Sequence, residues 1–459
     1  MLAIRALGGD QRSRTTMRPT RDSDRLWLRV LGQPGVATLL LCTAAVLVML
    51  GSGWAVVRVL GGARPVIPTL GPEPIIRVRI AARRQQIELT SPGPLLFTPG
   101  ATIPRILPAP VVIEPDGDGF VLTDAQGSRH TLGGESIIVT AAESPATGDA
   151  GSIGFDDAHY PGALRLVLVD DGFDVVNDVP MDAYLPGVIA RELFSHWPEQ
   201  AFRVQAICSR SYALHISQHS DTRARHYDLT AGESAQTYSG LTDNATAIAA
   251  VEQTRGRTLT YRGGVIRAYY SSVCGGRSGS AMDSWASTGA YAFNAVPPLR
   301  AHSRPFACQD APLYRWTRTR GREELGARLR AWGENRGRKI RAIAGVRDIE
   351  IIRRAITGRP ARYAITDSEA KTFEISAEDL RLACNYPAPA HPRPTDDQRV
   401  MSNDMEFKLR GSTLRITGRG FGHGVGMCQY CTYSMAEAGA SVETMLERFF
   451  PGASIKRVY

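Results

Sequence analysis

Residues Gly35 to Val57, GVATLLLCTAAVLVMLGSGWAVV, run for 23 positions without a charge. As an α-helix such a run crosses roughly 30 Å of hydrocarbon. Seven arginines precede it, at positions 5, 12, 14, 18, 21, 25 and 29. Positive charge on the near side of an apolar span marks the cytoplasmic flank of an anchor, and a buried soluble helix has no use for it. A cleaved signal peptide is the competing reading, but its apolar region is usually only about 7–15 residues long. The expectation is a single-pass protein of the cell (inner) membrane. Residues 1–34 would be a basic cytoplasmic tail, 35–57 a transmembrane anchor or uncleaved signal, and the C-terminal domain extracytoplasmic.

At 459 residues the chain is long enough for two or three soluble units beyond that span. Its formal charge is +9, but the first 34 residues set seven Arg against three Asp and account for +4, leaving +5 for everything after them. An excess this small does not imply nucleic acid and suits an anionic cell-wall matrix equally well. Cys42 falls in the apolar run, while Cys208, Cys274, Cys308, Cys384, Cys428 and Cys431 lie beyond it, an even number in a compartment that permits disulfides. Cys428-x-x-Cys431 reads as a close disulfide, a redox pair or half of a metal site.

Residues 58–74 include GGARPVIPTLGPEP and read as a stiff, extended spacer. From 75 to 174 the runs IIRVRIA, QQIELT, GFVLTD, ESIIVTA and ALRLVLVD, separated by turn residues, predict a β-rich domain. The Pro-rich SPGPLLFTPGATIPRILPAP between them predicts a loop or insertion. In VVNDVPMDAYL and beyond, Tyr184, Leu185, Val188 and Ile189 recur at helical spacing, and Trp197-Pro198 suits the start of a second helix. Phe202, Ala206, Ala213 and Ile216 mark that helix's buried face. Arg210 lies on the same face, where an internal arginine needs a carboxylate or a ligand as partner. TRGRTLTYRGGVIRAYYSSVCGG predicts two strands about Arg262-Gly263-Gly264 that deliver Ser271, Ser272 and Cys274 to a loop. Residues 322–333 predict a helix, VRDIEIIRRAITGRPARYAITD a hairpin, and CNYPAPAHPRPTDD a solvent-exposed loop.

Glycines flank His423 in GRGFGHGVGM. They permit φ > 0 and close approach of a ligand, so the imidazole is expected to project from a bare loop. A phosphate loop is excluded because no Gly-Lys-Ser/Thr follows.

Two of these blocks resemble the SpoIID/LytB family. Its first block runs hydrophobic-Pro-Leu-Glu-x-Tyr-Leu, Gly-Val, a Glu before a short apolar step, Trp-Pro, Ala-Gln-Ala and Arg-Thr-Tyr-Ala-Leu. Here the chain reads VPMDAYLPGVIARELFSHWPEQAFRVQAICSRSYAL from Val179, with Gln236, Tyr238 and Gly240 on the Gln-x-Tyr-x-Gly segment that follows. The second block, Gly-x-Gly-His-Gly-Val-Gly-Met-x-Gln with a Met-Ala-x-x-Gly helix and an aromatic-aromatic-Pro-Gly close, is similar to GRGFGHGVGMCQYCTYSMAEAGASVETMLERFFPG. Asp182, Ser209, Ser211, Cys428 and Cys431 depart mildly from the pattern.

Together with the readings above, the resemblance gives an expected α+β fold: membrane-anchored, with a β-rich domain over 75–174 followed by a mixed helix/sheet SpoIID-like core. Its parts would be 175–314 and 401–459, around a variable insertion or second subdomain at 315–400. It implies Glu192 as the catalytic acid and Arg210 in the substrate groove. Gln205, Tyr212, Gln236, Tyr238, Ser271, Ser272, His423 and Gln429 are the further substrate-binding candidates. It also implies a Cys274–Cys308 disulfide, because relatives with Cys-Gly-Gly often carry a second Cys before Tyr-x-Trp, here Tyr314-Arg-Trp316. Some clostridial members hold zinc near this position with His and Cys. The His that often follows Cys-Gly-Gly is Arg277 here, so a structural zinc at Cys274 and Cys308 would lack a ligand, and no cofactor is expected.

The implied activity is a peptidoglycan lytic transglycosylase that cleaves the MurNAc-β-1,4-GlcNAc bond of stem-peptide-free strands and leaves 1,6-anhydroMurNAc ends. A glycoside hydrolase normally needs two carboxylates. Here one suffices, because the sugar's own 6-hydroxyl replaces water. The apolar neighbours Leu193, Phe194 and Trp197 would favour the protonated acid. The expected partners are glycan strands, the membrane and a cell-wall amidase. Two rival readings are a non-catalytic wall-binding protein that stimulates or positions that amidase, and an anchored scaffold using residues 75–174.

Overall fold

Apolar alternation with period two builds the first hundred residues described in the computed structural model. That model describes residues 71–100, 103–142, 151–220, 225–232, 235–303 and 306–459. The tail, the expected anchor at 35–57 and the spacer up to residue 70 lie outside the described residues. Among the described residues no helix is long and apolar enough to cross a membrane.

Strand Ile75–Arg84 turns Ile76 and Val78 inward and pairs antiparallel with Gly172–Pro180, from Ile75↔Pro180 to Arg84↔Phe173. The two belong to a seven-stranded sheet ordered Leu229–Thr230, Ile75–Arg84, Gly172–Pro180, Ala163–Val169, Ser136–Ala141, Leu95–Pro99, Arg105–Leu107. A six-stranded sheet runs Ala158–Tyr160, Ile153–Phe155, Ile87–Thr90, Val111–Asp116, Gly119–Thr123, Arg129–Gly133. Phe120 of the second sheet meets Phe173 of the first edge-on at 5.7 Å. The Pro-rich segment expected as a loop supplies the last two strands at one edge of the larger sheet. Leu95, Phe97 and Leu107 point inward and are buried, and the prolines sit at strand ends, where a missing N–H breaks no ladder.

Strand Gly172–Pro180 runs directly into helix α1 (Met181–Glu192), which buries Tyr184, Leu185, Val188 and Ile189. A Cβ on Gly187 would stand 1.9 Å from the Gly240 carbonyl oxygen, so only glycine lets α1 lie against that segment. Helix α2 (Glu199–His219) is the buried spine of the core, and α3 (Ala245–Gln253) starts at Asn244, whose side chain accepts from the Ala247 amide at 2.9 Å. The C-terminal block returns to this core at two places. Ser454–Arg457 pairs with Arg257–Tyr261, and Met427–Cys428 pairs in parallel with Tyr270–Ser271.

Ahead of both returns in the chain, a second unit has its own apolar cluster. It contains α4 (Arg322–Asn335), α5 (Ala377–Cys384) and two three-stranded sheets, with Trp316, Leu325, Leu329, Tyr363, Leu380 and Ile416 among its buried residues. The strands Met405–Arg410 and Thr413–Gly418 belong to this unit and not to the C-terminal part of the core in which they were expected. Arg328 donates to the carbonyls of Tyr386 at 2.7 Å and Pro392 at 2.9 Å and so fastens the loop that follows α5. The boundary expected at 174 falls inside Gly172–Pro180, and the buried residues of both N-terminal sheets form one cluster with those of α1, α2 and α3.

A shared cluster implies shared unfolding. Leu166→Ala in the sheet and Ile207→Ala in α2 will each shift the same single urea transition to lower urea, with a loss of about 2–5 kcal/mol in unfolding free energy. Separate transitions for the sheets and the helices would contradict it.

Candidate active site

Helix α1 ends at Glu192, and the chain leaves it extended at Leu193, so the carboxylate stands at a helix terminus, half-buried. Two neutral groups reach it. The Gln429 amide, at the first residue of helix α6 (Gln429–Glu437), donates to Oε2 at 3.1 Å, and the Tyr270 hydroxyl donates to Oε1 at 3.4 Å. Burial, with the Glu192 charge adding to it, pushes the Tyr270 phenol well above its ordinary range, so it stays a protonated donor.

Behind these two stands a polar chain. Gln429 also donates to Gln205 Oε1 at 3.3 Å, and Gln205 donates to Ser209 Oγ at 3.0 Å. Gln236 donates to Tyr270 Oη at 3.2 Å and accepts from Tyr184 Oη at 3.1 Å. Glu192, Gln205, Gln236 and Gln429, all named from the sequence, are thus brought together. Tyr270 was missed, although it directly precedes Ser271-Ser272. The signal was available in the two-residue alternation that separates it from Ser271 on the strand.

Next to Glu192 and Gln429 in the chain is a group of aromatic rings. Phe194 is 55% exposed and packs 5.6 Å from Trp197, which in turn meets Tyr430 at 5.1 Å and Tyr433 at 5.0 Å. Tyr430 and Tyr433 lie on the same first turns of α6 as Gln429.

Arg210 is not in this site. It is fully buried and its donors are taken within the protein. Nε and Nη2 donate to Asp182 Oδ1 at 3.1 and 2.8 Å, and Nε also donates to Tyr459 Oη at 2.9 Å. Further bonds go to the carbonyls of Arg257 at 3.2 Å and Val251 at 3.3 Å. Asp182 and Glu192 sit at opposite ends of α1, about 15 Å apart along its axis. The substrate-contacting role expected for Arg210 is therefore corrected: its partner is the carboxylate of Asp182.

Tyr238 is likewise structural. Its hydroxyl donates to Asn177 Oδ1 at 2.8 Å, and its ring packs between Tyr184 and Tyr160. Tyr212 accepts from Arg267 at 3.2 Å and packs against Tyr269 and Tyr270, one layer behind the carboxylate. Ser271 Oγ accepts from the Gly424 amide at 3.2 Å and the Ser272 carbonyl from the Tyr430 amide at 3.1 Å, so both serines hold the C-terminal block in place.

His423 does not project from a bare loop. Trp285 and Tyr269 meet its ring edge-on at 5.0 and 5.8 Å, and its Nδ1 accepts from the Val425 amide at 3.0 Å, which places any proton on Nε2. Burial pushes its pKa down to about 4, against an opposing Glu378 charge, so it is neutral near pH 7. The adjacent glycine answers to packing and not to a ligand: Gly424 has φ +69°, and a Cβ there would lie 2.5 Å from the Arg359 guanidinium.

The cysteines form a cluster of their own. Cys274, Cys308, Cys428 and Cys431 are all buried, with their sulfur atoms mutually within 4.8 Å. Cys274 Sγ stands 3.5 Å from Cys308 Sγ, unbonded, and 3.7 Å from Cys431 Sγ. Cys384 belongs to the second unit's apolar cluster, and Cys208 is buried in α2.

Comparison with known proteins relates the chain to a family by sequence. Residues 169–261 match the SpoIID family model, described as Stage II sporulation protein, and residues 295–426 match a domain of unknown function, DUF8618. An uncharacterized protein of Brachyspira hyodysenteriae is 28% identical over 298 residues, covering 64% of this chain and 72% of that protein. The amidase enhancer of Bacillus subtilis is 26% identical over 300 residues, 59% of this chain but 40% of the enhancer's own length. Stage II sporulation protein D of Bacillus subtilis is 25% identical over 294 residues, covering 61% and 75%.

Breaking a buried ion pair leaves an uncompensated charge, so Arg210→Ala will lower the unfolding free energy by about 3–5 kcal/mol in chemical denaturation. A groove arginine would weaken glycan binding at unchanged stability. The histidines set a pH limit. His215, 3% exposed, is held by burial at a pKa of about 4, as is His423. Unfolded histidine binds its proton near 6.5, so their contribution is complete above about pH 6.5 and is lost as pH falls toward 4. For His215 it amounts to on the order of 3 kcal/mol. Thermal midpoints measured from pH 7 to pH 4 should fall across that window, and a flat profile would contradict the assignment.

Proposed function

From a chain that carries a SpoIID family domain, and with it a peptidoglycan-related function, we propose a lytic transglycosylase that works from outside the cell membrane, held there by residues 35–57. The observation that carries the reading is Glu192 at the end of α1 with Tyr270 and Gln429, two neutral donors, on its two oxygens. Both oxygens accept in the carboxylate form, but the Gln429 amide can only donate whereas the Tyr270 hydroxyl can also accept, so Oε1 is the oxygen that carries the acid proton in the protonated form. Protonated Glu192 gives this proton to the glycosidic oxygen as the bond from MurNAc C1 to that oxygen breaks, and GlcNAc leaves with a free 4-hydroxyl. The resulting carboxylate then takes the proton of the MurNAc 6-hydroxyl as that oxygen attacks C1 and closes the 1,6-anhydro ring. The proton is back on Glu192, no water is consumed, and one carboxylate serves both steps.

The rings of Phe194, Trp197, Tyr430 and Tyr433 offer the faces against which pyranose rings pack. Stem-peptide-free strands are the preferred substrate. The likeness to the amidase enhancer favours one second reading, an accessory protein that binds the wall and stimulates an amidase without cutting glycan.

Incubation of the full chain with peptide-stripped glycan strands and with intact sacculi, followed by mass spectrometry, separates these. The account predicts anhydro-ended fragments, lost by about 10²-fold or more in a Glu192→Gln variant of unchanged circular dichroism. Bound but uncut glycan together with faster amidase action would replace it by the accessory reading. Phe194→Ala should raise KM and leave kcat within about twofold, since the ring binds ground and transition states alike.

A further inference from the structure

We propose that Cys274, Cys308, Cys428 and Cys431 bind one structural zinc ion that ties the C-terminal block to the Glu192 core. The four come from three separate stretches of chain. Cys274 follows strand Tyr270–Ser271, Cys308 precedes the second unit, and Cys428 and Cys431 bracket the start of α6. All four are at most 2% exposed. Around a metal at about 2.3 Å from each sulfur, the edges of a tetrahedron are about 3.8 Å long. The measured separations of 3.5 and 3.7 Å from Cys274 to Cys308 and Cys431 match those edges, and both exceed the about 2.05 Å of a disulfide.

Cys274 lies near two of the other sulfurs at once, which is the arrangement of a shared centre and not of two bonded pairs. The sulfur of Cys428 accepts from the Cys274 amide at 3.2 Å and the Cys431 amide at 3.4 Å, a placement that also suits a metal-bound thiolate. The second bond closes the Cys-x-x-Cys turn at the N-terminal end of α6, where the helix dipole favours negative sulfur.

Without a metal the four would be neutral buried thiols; a divalent cation at their centre compensates the charge of the thiolates that bind it. A closed, four-sulfur, four-coordinate site is the donor set that selects zinc among abundant divalent ions. Binding replaces four thiol protons by one Zn²⁺, releases those protons to solvent and leaves a net charge of −2. Arg359, buried and donating to the Cys274 carbonyl at 3.0 Å, stands beside it as a counter-charge. Gln429 lies between two of the ligands in sequence and donates to Glu192, so the ion also fixes the start of the helix that presents this amide.

The test needs no glycan, so its failure and that of the transglycosylase reading are distinguishable. Full-length chain, purified in detergent without chelator, is analysed for metals by plasma mass spectrometry and for thiol pairing by non-reducing peptide mapping. The expected result is about one zinc per chain with all four thiols unpaired. Replacement by cobalt(II) should give thiolate-to-cobalt charge transfer and the visible bands of a tetrahedral ion. Cys308→Ser should retain at least about tenfold less zinc, while Cys384→Ser, in the other apolar cluster, keeps it. Should Cys308→Ser fail to fold, the stoichiometry and cobalt spectrum of the unaltered chain decide. Disulfides among the four, a metal-free protein indifferent to added zinc, or iron in zinc's place would each overturn the assignment.

Discussion

The buried guanidinium of Arg210 is the interaction on which the arrangement of the core depends. A charged group with no exposure is tolerated only when its donors are satisfied, and here they reach four segments: Asp182 at the start of α1, the carbonyl of Val251 in α3, the carbonyl of Arg257 at the head of a strand, and the side chain of Tyr459 at the C-terminus. By clamping α1 at one end, the guanidinium fixes where the other end points. Glu192 stands there, about ten residues and 15 Å further on. The same clamp holds the C-terminus against the core, which lets residues so far apart in sequence meet at one carboxylate.

That meeting is long-range in the extreme. Gln429 reaches Glu192 across 237 residues, with the whole second unit in between. Two short contacts close the gap: the parallel pairing of Tyr270–Ser271 with Met427–Cys428, and the four-cysteine cluster immediately beside it. A two-residue strand pair is weak alone. The proposed zinc at its end would cross-link the block there and hold the amide that stands 3.1 Å from Glu192. The glycines of the His423 loop serve the same end, since they let Arg359 and Tyr269 approach closely enough to lock the block in place.

What could be read from sequence is what local periodicity encodes. The apolar faces of α1 and α2, the strands Ile75–Arg84, Ile87–Thr90, Gly119–Thr123, Ser136–Ala141 and Ala163–Val169, the helix observed as Arg322–Asn335 and the hairpin Asp348–Arg354 with Pro360–Thr366 all follow from spacing within about twenty residues. Glu192, Gln205, Gln236 and Gln429 followed from resemblance, and the structure gathers them. The misreadings share a cause: they concern side chains whose partner is distant. Arg210 needed a carboxylate or a ligand, and sequence could not point to Asp182. His423 looked bare because Trp285 is 138 positions away in the chain. The Pro-rich segment was taken for a loop because composition outweighed the inward alternation of Leu95 and Phe97. Half of the cysteine cluster has a recognisable spacing, Cys428-x-x-Cys431, but Cys274 and Cys308 acquire meaning only once the fold brings them beside it.

The central claim is that one carboxylate suffices because the substrate supplies its own nucleophile. Cleavage of glycan strands in ¹⁸O-labelled water tests this most directly. If Glu192 passes its proton between the leaving oxygen and the muramic 6-hydroxyl, the new 1,6-anhydro ends carry no label. Label at the anomeric carbon of new reducing ends would show that water attacks, and would contradict the account.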